Sequence, residues 1–279
     1  MRWRYTLRQF MRRPLAVVGL VIVVAVVLVG TFAPQIAPHD PTKADFLAIL
    51  QAPSDQYLLG TDEIGRDLLS RLIFGARSSL QAGLLAVLIA VGLGVPIGLI
   101  SGYMRGWVDQ LVIMRVADAM IAFPTIVLAL ALAAALGGSL TTAMLAIGIG
   151  AAPAFIRLAR AQALSLREQE FVEAARALGT SSSKIMFKHV IPNMIGPLLV
   201  QTSIAIAAAI LAETALSFLG LGVQPPTPSW GNTLRIGAGY MTTAPWLSLY
   251  PGMAIFVTVL GINLLGDGLR DALDPKDRA

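Results

Sequence analysis

An all-α membrane protein of six transmembrane helices is the fold class this sequence predicts, and three observations carry it. The 279 residues are 56% apolar and only 13% charged, whereas a soluble domain carries about a quarter charged residues. The apolar residues gather into runs of about 20, enough to cross a ~30 Å hydrocarbon core, and mean hydropathy is +0.73. These runs are apolar on every face, without a two-residue alternation, so helices are favoured over a barrel. The chain has no cysteine, which excludes disulfides and Cys-ligated metals.

Six spans are expected, at 14–32, 80–100, 116–136, 142–157, 195–216 and 250–269. The first follows a basic lead, MRWRYTLRQFMRR, as a signal peptide would. Its apolar part is longer than the ~7–15 residues of a signal core, so an uncleaved span is the better reading. A polar loop at about 33–79 follows, with Asp40, Asp45, Asp55, Asp62, Glu63 and Asp67. In it Ile64, Leu68, Leu72 and Ile73 share a helical face, predicting a short amphipathic helix that leads into the second span. The stretch GTDEIGRD at 60–67 has a superficial likeness to a phosphate-binding loop. Arg66 and Asp67 stand where Lys and Ser/Thr are needed, so a turn and a helix start are expected instead. Residues 1–79 are read as an N-terminal unit and 80–279 as a core domain of five spans with a loop at about 161–194.

Gly94, Gly98 and Gly102 recur every four residues along the second span, a spacing that lets helix backbones approach closely. The contact lies within the subunit or in a dimer. Pro96, Pro124, Pro153 and Pro197 predict kinks in four spans. Glu213, near the outer end of the fifth span, is either a pathway or gate residue or an acid reaching water at the rim. The loop at 220–250 is rich in Pro, Gly and aromatics. Trp230, Tyr240, Trp246 and Tyr250 suit headgroup-level anchors, and a re-entrant or gate element is the alternative.

Charge sets the orientation. With the N-terminus inside, sixteen of the 21 lysines and arginines fall in cytoplasmic segments, which places both termini in the cytoplasm. The net charge of +5 therefore orients the protein and does not argue for nucleic acid.

The most distinctive cytoplasmic stretch is 173–192, EAARALGTSSSKIMFKHVIP. A capping box is expected at 165–168, SLRE, opening a helix that runs to Leu178. Phe171, Ala174, Ala175 and Leu178 are expected on one side and Glu170, Glu173 and Arg176 on the other. Gly179 falls where a helix end needs a left-handed residue. A second short helix, capped within 180–183, is expected to stop near Pro192.

Glu173, Ala174 and Ala175, then Gly179, then Pro192 resemble the EAA loop of ABC importer membrane subunits: EAA, three residues, Gly, nine residues, Ile-x-Leu-Pro. Here His189 replaces the isoleucine and Ile191 the leucine. Histidine at that place is similar to the dipeptide, oligopeptide and nickel permease branch. LGTDEIGRDLLSRL at 59–72, AFPTIVLALAL at 122–132, SFLGLGVQPPTPSWG at 217–231 and NLLGDGLRDALDP at 263–275 resemble that branch too. The chain resembles its second permease subunit. The resemblance implies a type I importer in the prokaryotic cytoplasmic membrane. Its partners would be another permease subunit, two cytoplasmic ATPases and an external substrate-binding protein, with ATP and magnesium held by the ATPases and no cofactor in this chain. It also implies that Glu173, Ala174, Ala175 and Gly179 couple to an ATPase, flanked by Phe171 and Arg176, with His189 and Pro192 completing the motif.

No catalytic constellation is visible: His39 and His189 lie on opposite sides of the membrane, and neither HExxH nor GxSxG occurs. The rival function is an ion-coupled secondary transporter. That class places several ionisable groups near the midplane, where these spans offer little beyond Glu213.

Overall fold

The computed structural model describes residues 9–107 and 109–273. The expected basic residues Arg2, Arg4, Arg8, Lys276 and Arg278 lie outside them, as do the last residues of the 263–275 stretch. The elements are α1 (Pro14–Thr31), α2 (Ala33–Ile36), α3 (Leu68–Met104), α4 (Met114–Ala122), α5 (Thr125–Leu136), α6 (Leu140–Arg167), α7 (Glu170–Ala177), α8 (Ser182–Ile185), α9 (Ile191–Phe218), α10 (Trp230–Ala238) and α11 (Trp246–Leu273). No strand occurs among the described residues.

Helices α1, α3, α6, α9 and α11 are each long and apolar enough to cross a membrane, α9 together with α8. The helix pair around Phe123 is bent by 93°. Phe123 is extended because the ring of Pro124 clashes with a helical residue before it. The neighbours of this pair decide whether it crosses. Tyr103, at the end of α3, accepts a hydrogen bond through its carbonyl from Arg167 at the end of α6. Gly138, after α5, lies against Gly220 and Leu221, beyond the far end of α9. The chain therefore passes from one end of the bundle to the other between Met104 and Gly138, and the bent pair is one broken span. That makes six, as expected.

Pro124 marks a break between two helices, whereas Pro96, Pro153 and Pro197 sit inside helices that continue past them. The second span also starts twelve residues earlier than expected. Asp67 caps α3, accepting from the backbone N–H of Ser70 at 2.9 Å, and the helix runs on through 79/80. Ile64 stays in the preceding turn. The GTDEIGRD stretch is the turn and helix start that its chemistry predicted. Gly60 and Gly65 have φ of +81° there, and a Cβ on Gly65 would lie 1.8 Å from the Asp45 carbonyl oxygen.

The core is the seam between α3 and α6. A Cβ on Gly94, Gly98 or Gly102 would come within 2.5, 2.3 and 2.5 Å of atoms of Phe155, Ile156 and Arg160. The glycine stripe thus packs within the subunit. Around it Ala86, Ala90, Ala146, Phe155, Ala209 and Leu216 are buried. Against this body α1 packs on α11, where Gly19, Gly261 and Gly268 allow the close approach.

The loop at 220–250 is tied to the bundle. Ser229 caps α10, Trp230 is buried and donates its indole N–H to the Leu72 carbonyl at 2.9 Å, and Trp246 donates to the Thr61 carbonyl at 3.3 Å. Trp230 is therefore a packing anchor and not the expected headgroup anchor, because it is buried and its indole N–H finds a protein carbonyl, whereas Trp246 is half-buried.

Candidate functional site

The 161–194 segment folds differently from the capping-box expectation. Ser165 lies in the last turns of α6, which ends at Arg167, and the next helix starts after Gln169 without a side-chain cap. The apolar run ends near residue 157, yet the helix continues for ten more residues, because its basic side chains find partners on the preceding segment. Arg160 makes two hydrogen bonds of 2.7 Å to the two carboxylate oxygens of Asp109. Asp109 is buried and also accepts from the Ser101 hydroxyl. Arg157 pairs with Asp118 at 2.5 Å.

Helix α7 closes as Gly179 predicted. Gly179 has φ +76°, its N–H donates to the Arg176 carbonyl at 3.0 Å, and the Thr180 N–H donates to the Ala175 carbonyl at 3.1 Å. These two bonds form the Schellman motif, which satisfies carbonyls left over at the helix end. The second helix does not stop at Pro192. It passes from α8 through a π-helical turn at Met186–Val190 into α9, where Pro192 occupies the first turn. The π-helical turn just before it already departs from the regular i→i−4 ladder, and there a proline, lacking its N–H, fits inside a continuing helix.

The face assignment of α7 also changes. Val172 and Ala175 are the buried pair, packed on Leu99, Tyr103, Ile185, Val190 and Met194. Phe171, Ala174 and Leu178 form a second stripe that points outward, with Leu178 85% exposed. Phe187 adds another apolar side chain, 71% exposed. Of the eight residues singled out in the loop, Glu173, Ala174, Arg176, Gly179 and Pro192 are exposed beside that stripe. Ala175 is buried, and Phe171 and His189 lie side by side with ring centroids 6.2 Å apart. The ring contact brings α7 and the π-helical turn together at one end of the bundle, and Leu178, already on the expected apolar side, and Phe187 are further exposed apolar side chains there. The i+3 and i+7 spacing of Phe171, Ala174 and Leu178 was the available signal; Ala175, grouped with them from the sequence, belongs to the buried face instead.

Glu213 lies at the opposite end and is fully buried, not at a wetted rim. Ser217 donates to one of its oxygens at 2.7 Å and Ser79 to the other at 3.2 Å. Ser217 in turn accepts from the Val223 N–H at 3.0 Å. This chain of bonds joins α3, α9 and the start of the 220–250 loop.

In the loop before α3, Asp62 is a buried hub. It accepts from the Arg66 guanidinium at 2.6 Å and from the Arg66 backbone N–H at 2.9 Å, and Arg71 lies 3.4 Å away. Burial first, then the neighbouring Asp62 carboxylate, push the Glu63 carboxyl above its ordinary value of 4.5. Hydrogen bonds from Thr42 hold the Asp40 carboxyl below its own.

A helical bundle with six crossings, a long second span and a two-helix projection at one end defines a multi-span membrane transport subunit. Residues 94–278 match the family described as the binding-protein-dependent transport system inner membrane component. Residues 2–53 match the N-terminal TM domain of oligopeptide transport permease C. The chain is 45% identical to the dipeptide transport system permease protein DppC of Alkalihalophilus pseudofirmus, over 98% of this chain and 90% of that one. It is 43% identical, with the same coverage, to the glutathione transport system permease protein GsiD of Escherichia coli. The fold is similar to that in the inward-facing MetNI methionine ABC transporter, with a TM-score of 0.61 and 18% identity over 74% of this chain and 98% of that chain. The chain belongs to the family of binding-protein-dependent ABC transport permeases, as a non-catalytic, multi-pass subunit of the inner membrane.

Proposed function

We propose that this chain lines half of the pathway of an ATP-driven importer of di- and oligopeptides, beside a second permease subunit. Two cytoplasmic ATPases that hold ATP and magnesium, and an extracytoplasmic substrate-binding protein, complete the assembly. The dipeptide and glutathione systems named among its relatives support the peptide substrate. The coupling patch consists of Phe171, Glu173, Ala174, Ala175, Arg176, Gly179, His189 and Pro192, extended by Leu178 and Phe187.

The observation that carries this reading is the two-sided α7. One face is fixed to the bundle by Val172 and Ala175, and the other presents apolar side chains with nothing over them. Apolar surface bordered by Glu173 and Arg176 fits a cleft on a partner protein, since interface cores are apolar and their rims polar. A capped helix held on one side transmits a push to the spans it packs on. ATP-driven closure of the ATPase pair draws the coupling helices together and turns the pathway outward; hydrolysis and reopening turn it back. Uptake by proteoliposomes of the reconstituted complex tests this. ATP with binding protein and dipeptide gives uptake, whereas uptake by this chain on an ion gradient alone overturns it in favour of secondary transport.

A further inference from the structure

We propose that the groove between α1, α3 and α11, at the end of the bundle opposite α7, holds the acyl chain of an anionic phospholipid whose phosphate is bound by Arg77. The groove has a volume of about 350 Å³ and is lined by Val26, Val29, Ile73, Ala76, Met253 and Val257 among others. It exists because α1 and α11 touch at one end and part at the other. A Cβ on Gly19 would lie 2.6 Å from the Leu265 backbone nitrogen, and one on Gly261 would lie 2.4 Å from Ile22. A Cβ on Gly30 would lie 3.1 Å from the Arg77 backbone nitrogen, so α1 lies close on α3 at that level.

The polar groups around the groove are already used. The Thr258 hydroxyl donates to the Ala254 carbonyl at 2.7 Å, and the Trp230 indole donates to the Leu72 carbonyl at 2.9 Å. Such a site offers water no partners and suits a hydrocarbon chain. The groove opens to the outside of the chain: Met253 is 51% exposed.

Arg77 supplies the charge. It follows the lining residue Ala76, stands one turn beyond Ile73 on the same helix face, and lies level with Gly30 near the end of α1. It is exposed and has no hydrogen bond or ion pair among the described residues. An arginine at that depth reaches the headgroup layer, and its planar fork binds phosphate oxygens in pairs. A chain-accepting groove and a free guanidinium at its edge select an anionic lipid over a zwitterionic one.

The test places the full chain, co-purified with its transporter partners, in nanodiscs doped with phosphatidylglycerol or phosphatidylcholine carrying a photoreactive acyl chain. Peptide mass spectrometry then maps the labels. The expected result is phosphatidylglycerol label concentrated on residues 25–29 and 253–257. Arg77→Gln lowers it by about tenfold at sub-saturating probe, the loss of one charge-assisted contact, while phosphatidylcholine labelling is unchanged. Ala254→Phe, which fills the groove, displaces the label with Arg77 intact. Equal labelling by the two lipids, label spread evenly over the lipid-facing residues, or an undiminished signal in Arg77→Gln overturns the proposal. Loss of the second permease subunit from the Arg77→Gln complex also overturns it and assigns Arg77 to a protein contact.

Discussion

At Gly179 the backbone has φ +76°, while a Cβ added there would meet nothing within 4 Å. Alanine therefore brings only the cost of a left-handed backbone, ~1–2 kcal/mol, at the end of the helix that carries the coupling patch. Gly179→Ala is expected to enter the membrane normally and to leave ATP hydrolysis poorly coupled to uptake, while Gly179→Asn, which tolerates this conformation, recovers most of the coupling. The ratio of ATP hydrolysed to dipeptide imported measures it, and equal ratios in the three proteins remove Gly179 from the lever. Glu63 behaves in the opposite sense. Its folded carboxyl titrates above the unfolded value of 4.5 because burial and Asp62 disfavour its charge. Folding then takes up a proton in that window, so acidification from neutral through the raised value strengthens the fold relative to the unfolded chain. Glu63→Gln is expected to raise Tm at neutral pH, with the gain shrinking as pH falls toward 4.5. A gain that does not change with pH contradicts the assignment.

The two faces of α7 make separable predictions at the scale of the element. Val172 is fully buried against Leu99, Tyr103 and Ile185, so Val172→Ala leaves a cavity and loosens the helix from the bundle at a cost of ~1–2 kcal/mol. Leu178 is 85% exposed, so Leu178→Ala leaves stability within about 0.5 kcal/mol. The expectation is that Val172→Ala lowers Tm yet still retains the ATPases in a pull-down, whereas Leu178→Ala keeps Tm and loses them. The reverse pattern would exchange the two faces. Why the sequence did not separate them follows from the same geometry. The apolar stripe was legible at helical spacing, but a stripe kept for a partner protein has the same spacing as one kept for the core. The left-handed glycine and the Pro124 break were legible because each is a local backbone constraint. The extension of α6 past its apolar run was not, because the residues that neutralise it, Asp109 and Asp118, lie 51 and 39 positions away in sequence. Of the two readings left open for Glu213, the sequence could not discard the wetted rim for that reason too, since one of its two partners, Ser79, is 134 positions distant.

Parity organises the whole molecule. The start of the first span and the end of the last lie together, with Phe10 and Ala16 packed on Ala272 and Arg13 paired with Asp271. The C-terminal ends of α3 and α6, tied by Arg167 to Tyr103, belong to the region that carries α7. An even number of crossings is what brings two ends of a chain to one side, and six satisfies it only when the bent pair at Phe123 counts as one span. From the excess of lysine and arginine in the segments joined at the α7 end we propose that this end faces the cytoplasm. The chain has no cysteine, so single cysteines report sidedness without a background. In intact cells, Ser54→Cys, in the loop before α3, is expected to react with a membrane-impermeant maleimide. Ser182→Cys, at the start of α8, is expected to react only after the membrane is opened. If both react from outside, the bent pair is a re-entrant element and the crossing number is odd; if the two are exchanged, the fold stands and the charge argument for its orientation falls.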